Sequence, residues 1–177
     1  ENPKDFNGTI DLDLKYDLDN NMFTSWISSN KTSINNYDIE FYDTRIDFQD
    51  SSFYIDLSLL LDQSGNPIRL VGFVPTNLDD ELNLRLNGDE KILDLIDNLS
   101  NNNFTFNSGD ANLRLIISGL LDQPIANGFL FISDAEIDIY ENSFIDLNST
   151  IIFDFDQLEI INFSASSFKS GEILLVG

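Results

Sequence analysis

Apolar and polar residues alternate along most of the chain. Ile10, Leu12, Leu14, Tyr16 and Leu18 are interleaved with Asp11, Asp13, Lys15 and Asp17. A period of two puts the five apolar side chains on one face of a strand and the charges on the other. Asn20-Asn21 then reads as a turn, and Met22 to Ser28 as a returning strand. The pattern recurs at Tyr37, Ile39 and Phe41, at Phe53, Ile55, Leu57, Leu59 and Leu61, and at Leu82, Leu84 and Leu86. It continues through Ala111, Leu113, Leu115 and Ile117, then Phe129 and Phe131, then Ala135, Ile137 and Ile139. Ile151, Phe153 and Phe155 lead to an expected turn at Asp156-Gln157. Leu158 and Ile160 are followed by Ile161 and Phe163, a change of phase that a β-bulge would repair.

One segment has a different period. Ile92, Leu93, Leu95, Ile96 and Leu99 fall at i, i+1, i+3, i+4 and i+7, the stripe of an amphipathic helix over about residues 90–99. Asp89 is the expected N-cap, and Glu90 suits the positive helix end. Laid on the sheet, such a helix would cap an edge or plug a groove.

The strands also repeat. Leu60-Leu61-Asp62-Gln63 returns as Leu120-Leu121-Asp122-Gln123. Each copy is followed by Pro-Ile (Pro67-Ile68, Pro124-Ile125) and then by Gly-Phe (Gly72-Phe73, Gly128-Phe129). Ser52 to Leu57 is echoed by Ser143 to Leu147. A degenerate β repeat accounts for this, in units that touch mainly their neighbours. No Pro- or Ser-rich linker divides the chain, and the loops at Asn35-Asn36 and Asn101 to Asn103 are the weakest points. The expected organisation of residues 1–177 is one fragment: a first repeat region at 1–88, helix and loop at 89–103, and a second repeat at 104–177.

Composition narrows the functions. The 177 residues suffice for a sizeable core, and 42% are hydrophobic. The formal charge of −22, from 31 acidic and 9 basic residues, disfavours nucleic acid and anionic bilayer surfaces as partners. The chain lacks His and Cys, which removes Ser-His and Cys-His nucleophile schemes, thiolate metal sites and disulfides. No run reaches membrane-spanning length, and no signal-peptide pattern stands at Glu1. Strand-like residues run on from Gly171 to Gly177, so the native chain is expected to continue, with any signal or anchor outside this stretch.

No catalytic constellation stands out among the 31 acids, and no enzyme activity is expected. The pairs Asp11/Asp13, Asp17/Asp19 and Asp154/Asp156 lack the spacing of a calcium loop and read as a solvated face. No metal or other cofactor is expected. Trp26, the sole Trp, suits packing within the sheet or an interface anchor. Arg114 suits an ion pair with a neighbouring acid, or a lipid phosphate.

A one-sided sheet must cover its apolar face or leave a trough. With 15 Phe and many Leu and Ile, the apolar positions are uniformly bulky, which hints at a wide lumen rather than an interdigitated sandwich. The order of elements from Gly109 to Gly177 resembles the C-terminal region of the TamB (translocation and assembly module) family, within the AsmA-like group. The resemblance rests on Ser118-Gly119-Leu120-Leu121-Asp122-Gln123-Pro124, Ala126-Asn127-Gly128-Phe129-Leu130, Ser133-Asp134-Ala135-Glu136-Ile137, Ile151 to Asp156, Leu158-Glu159-Ile160, Ala165 and Gly171. Leu82 to Asp89 and the following helix resemble the segment that precedes it, and the stretch through Pro75 matches more loosely.

The resemblance implies a periplasmic, cell-envelope protein, anchored in the inner membrane by a segment not present here. It implies an elongated, curved antiparallel or mixed sheet folded into a β-taco-like groove. The implied roles are phospholipid transport between inner and outer membranes and outer-membrane protein assembly with an Omp85-type barrel partner. Chloroplast-envelope relatives serve protein import. The expected lining of the groove, against phospholipid acyl chains, is Leu57, Leu59, Leu113, Leu115, Ile117, Phe129, Phe131, Ile137, Ile139, Phe153, Phe155 and Phe163. The rival reading is a cell-surface or adhesin-type β-repeat binding module without lipid cargo.

Overall fold

The computed structural model describes residues 6–34, 37–61, 65–99, 103–140, 142–167 and 171–176. Nearly all of it is strand: one antiparallel sheet of twelve strands with a single short helix. The strands are β1 (Phe6–Asp17), β2 (Met22–Ile34), β3 (Tyr37–Phe41), β4 (Thr44–Gln49), β5 (Ser52–Leu61), β6 (Ile68–Pro75), β7 (Glu81–Gly88), β8 (Phe104–Leu120), β9 (Gln123–Ile139), β10 (Asn142–Phe155), β11 (Gln157–Ser167) and β12 (Glu172–Val176). The helix α1 (Ile92–Leu99) falls where the apolar stripe predicts. Neighbours in the sheet follow chain order, with β4 the one departure. The expected loop at Asn35-Asn36, and the Asp62-Gln63 half of the repeat, lie outside the described residues.

Two compact units make up the chain. The first is Glu1–Leu86 with Ile116–Pro124, and the second is Asn87–Leu115 with Ile125–Gly177. The tip of the β8–β9 hairpin goes with the first unit.

In the first unit, β3 and β4 share one slot. Both pair with β2 on one side and β5 on the other, so they are one strand broken at Tyr42-Asp43. Asp43 adopts a left-handed φ of 49°. The extra residue restores the phase, so that Ile39 and Phe41 before the break and Ile46 and Phe48 after it share a face. The β4 alternation is out of step with Tyr37, Ile39 and Phe41, which masks it in the sequence.

A break in a ladder strands backbone groups, and here buried hydroxyls take them up. Ser29 Oγ accepts the Phe41 N–H at 2.8 Å, and Thr32 Oγ1 donates to the Ile39 carbonyl. Thr44 Oγ1 accepts the Ser58 N–H at 3.2 Å and donates to the Ser58 carbonyl at 3.3 Å. Ser25 Oγ donates to the Ile46 carbonyl at 3.0 Å. Ser25, Ser29, Thr32, Thr44 and Ser58 are all buried.

In the second unit, two aspartates reset the phase. Asp134 (φ 49°) and Asp146 (φ 53°) sit at register shifts between β9 and β10. Asn148 joins them, accepting the Asp134 N–H and donating to the Asp146 carbonyl. Asn and Asp tolerate this conformation better than other side chains do. A further shift pairs Thr150 with Asn162 but Ile151 with Ile160, which leaves Ile161 as the predicted bulge.

The repeated Gly-Phe motif has a structural cause. Gly72 (φ +148°) and Gly128 (φ +150°) use a conformation that L side chains avoid. A Cβ on Gly72 would lie 2.0 Å from the Asn83 carbonyl oxygen, and one on Gly128 1.9 Å from that of Arg114. Across the opposite strand, Ile55 pairs with Gly72 and Phe153 with Gly128, so a large side chain stands beside each bare backbone.

The helix is fixed at its start. Ile92 lies against Gly88, where a Cβ would come within 3.1 Å of Ile92 Cδ1. Ile92 and Leu93 are buried. Asp89, the expected N-cap, turns its Oδ1 to Asn112 Nδ2 at 3.0 Å and Arg114 Nη2 at 2.9 Å. Arg114 also donates to the Gly88 carbonyl. Of the two roles read for Arg114, the ion pair is the one observed.

Candidate functional site

Register assigns the faces. In the first unit, Leu12 pairs with Ile27, Tyr16 with Phe23, Phe23 with Phe48, Phe48 with Phe53 and Phe53 with Val74. Cross-strand partners point to the same side, so these residues share one apolar face with Ile46, Ile55, Leu57, Leu59 and Leu70. The opposite face carries Asp11, Asp13, Lys15, Arg45, Asp47, Asp56 and Arg69, in the same registers.

The apolar face is not sealed. Leu61, Ile68 and Leu82 are buried, but Ile10, Leu12, Leu14 and Tyr16 are 44–57% exposed, and Phe23 and Phe53 are also open to solvent. Leu57 and Leu59, both expected to line a groove, are half-buried on this face. Alternation along β8 puts Ile117 on the same side of that strand as Leu113 and Leu115.

In the second unit, one apolar face carries Leu113, Leu115, Leu130, Ile132, Ala135, Ile137, Ile139, Leu147, Ile151, Phe153 and Phe163. Register joins Leu130 to Ile151, Ala135 to Leu147 and Ile151 to Ile160. Leu113 and Ile137 are buried, along with Ala111, Leu130, Ile132, Ala135, Leu147, Ala165 and the helix residues Ile92 and Leu93. Leu115, Ile139, Phe153 and Phe163 are half-buried. The face is thus closed in one part and open in another.

Three expected lining residues are placed otherwise. Phe129 and Phe131 lie on the opposite side of β9, exposed, because the bulge at Asp134 shifts their phase against Ala135, Ile137 and Ile139. Leu130 and Ile132 take the inner positions. Phe155 ends β10, paired with Ala126, and with φ 59° it also starts the β10–β11 turn, one residue earlier than expected; it is 58% exposed. An Asp amid an apolar strand, Asp134, is the sequence signal of that phase shift. The uninterrupted run from Gly128 to Ile132 has no parity of its own.

Of the acidic pairs, Asp17/Asp19 shapes a turn. Asp17 forms an Asx turn, its Oδ1 accepting the N–H groups of Asp19 and Asn20 and its Oδ2 the Asn20 side-chain amide. The Asn20 side chain, then its backbone N–H, hold the Asp17 carboxyl below the ordinary carboxylate value. Asn107 donates to Asp138 at 2.9 Å and lowers its pKa likewise. Among the described residues, no group of three or more carboxylates could hold a metal ion, and no helix is long and apolar enough to cross a membrane. The described strands, apart from β4, run in the order of an antiparallel β-meander, and the first unit carries an open apolar face. Neither a family model, nor a curated protein, nor a solved structure matches the chain.

Proposed function

We propose that this chain is a segment of a TamB-like envelope protein whose apolar sheet face receives phospholipid acyl chains. The role would be lipid movement between inner and outer membranes, outer-membrane protein assembly with an Omp85-type barrel partner, or both. The observation that carries the reading is the open apolar face of the first unit, with Ile10, Leu12, Leu14, Tyr16, Phe23 and Phe53 exposed together opposite a charged face. Exposed apolar surface of this extent marks an interaction site.

Energetics suit passage rather than storage. Burying a methylene contributes about 0.8 kcal/mol, so half-covering about ten of them contributes about 4 kcal/mol. A chain held that weakly at many similar positions slides instead of settling. The charged face keeps the sheet soluble meanwhile.

Photocrosslinking in a Gram-negative envelope tests this. A photoreactive residue replaces Leu12, Leu57, Leu115 or Phe153, with Asp13 and Thr150 as controls on the other face. Phospholipid adducts at the four apolar sites and none at the controls are expected. Adducts at none of the sites, or equally on both faces, would refute the proposal and favour a binding module without lipid cargo.

A further inference from the structure

The charged face of the first unit is not uniformly polar. Trp26, Tyr54 and Phe73 stand on it, 39%, 44% and 38% exposed. Register places them in two adjacent rows: Trp26, Arg45, Asp56 and Val71 in one, Thr24, Asp47, Tyr54 and Phe73 in the next. Tyr54 and Phe73 form a tilted pair with ring centroids 6.1 Å apart. The Arg45 guanidinium lies 5.8 Å from the Trp26 ring centroid.

Two matched forks lie beside the rings. Arg45 Nε and Nη2 reach the two Asp47 oxygens at 3.0 and 2.9 Å. Arg69 Nη2 reaches both Asp56 oxygens at 2.9 and 3.0 Å, with Nε at 3.1 Å from Oδ1. Arg45, Asp47, Asp56, Tyr54 and Phe73 line one shallow cleft of about 350 Å³.

We propose that this face is a glycan-binding platform that takes an uncharged oligosaccharide across Trp26, Tyr54 and Phe73. A pyranose ring has a C–H face and a rim of hydroxyls. The exposed rings offer stacking surface to the first. The forks offer the second what it needs: each guanidinium has five N–H donors and each carboxylate about four acceptor sites, and pairing uses only some of them. Ion pairing also holds the forks rigid, so little ordering is left for binding.

Charge selects against other ligands. Each guanidinium already faces a carboxylate, and the chain carries a net charge of −22, so an anion is repelled. A purely apolar ligand would strip water from four charges without replacing it. From Trp26 to Tyr54 is two strands across and two residues along, about 12 Å, the reach of a short oligosaccharide.

Trp26 is the only Trp, so its emission reports on the platform directly. The purified chain is titrated with cellohexaose, laminarihexaose and chitohexaose. A saturable change with at least one of them, in the millimolar range or tighter, is expected. Tyr54→Ala should weaken it about tenfold, as loss of one stacking ring implies. Tyr54→Phe and the distant Glu159→Gln should leave it intact. If Tyr54→Ala does not fold by circular dichroism, Arg69→Gln carries the same expectation. No saturable change with any of the three sugars, or undiminished binding by the folded variant, overturns the proposal.

Discussion

Gly128→Ala puts the repeat geometry to a quantitative test. A Cβ there would stand 1.9 Å from the Arg114 carbonyl oxygen and 3.0 Å from Leu115 Cα. Restoring an ordinary contact to that oxygen requires β8 and β9 to part by about 1.5 Å, which takes hydrogen bonds of about 2.9 Å out of bonding range. Losing two such bonds costs about 2 kcal/mol. Forcing an L residue into left-handed backbone adds about 1–2 kcal/mol. The sum, about 3–4 kcal/mol, corresponds to a fall in Tm of about 6–16 °C for a chain of this size. Because the chain has two units, a single melting curve does not suffice. Amide hydrogen exchange should show lost protection at Leu113, Leu130 and Ile132, with Leu57 and Leu59 retaining theirs. Gly72→Ala, facing the Asn83 carbonyl at 2.0 Å, should reverse the pattern. Glycine in open space usually gains about 0.4–1 kcal/mol on conversion to Ala, so a neutral or stabilising Gly128→Ala would refute the close approach.

Three further outcomes are expected. Thr44→Val keeps shape but leaves the Ser58 N–H unpaired in the sheet, so it should cost about 1–3 kcal/mol and speed exchange at Ser58; an unchanged stability would remove the hydroxyls' bridging role. Asp17 and Asp138 should titrate below the ordinary value of 3.8 in carboxyl NMR, and their folded-state advantage, present above that value, should disappear as pH falls through their lowered values. Asn20→Ala and Asn107→Ala should move each one back up, and no movement would mean that these donors are not the cause. Arg114→Met should free the start of α1 at a cost of about 1 kcal/mol, since the pair with Asp89 is well exposed, and raise exchange at Ile92 and Leu93; equal exchange would place the anchor elsewhere.

What was legible in the sequence followed from clean periods. Ile10 to Asp17 could be read because every second residue is apolar, and α1 because its stripe has no other explanation. The Ile161 bulge announced itself as two adjacent apolar residues between strands of known phase. The errors cluster where phase is reset by one residue. Asp134 flips the β9 alternation, and the flanking run Phe129-Leu130-Phe131-Ile132 is apolar on both sides, so local pattern offered no choice between faces. Tyr42-Asp43 hid β4 in the same way. The buried hydroxyls of Ser29, Thr32, Thr44 and Ser58 were invisible for another reason: Ser and Thr read as solvent-facing until a broken ladder gives them backbone groups to satisfy. The platform of Trp26, Tyr54 and Phe73 needs cross-strand register, which no single strand encodes.

The order of strands in the sheet follows the order in the chain, and this bears on how the molecule forms and diversifies. Except between β7 and β8, which α1 separates, each strand can close on its predecessor with only a short loop to order, so assembly proceeds by zipping from whichever hairpin closes first, without waiting for distant segments to meet. A pair of strands inserted or deleted leaves every remaining strand with its own neighbours and keeps the two faces in register. Such a sheet can change length over generations by whole hairpins, while the chemistry of each face is inherited unaltered.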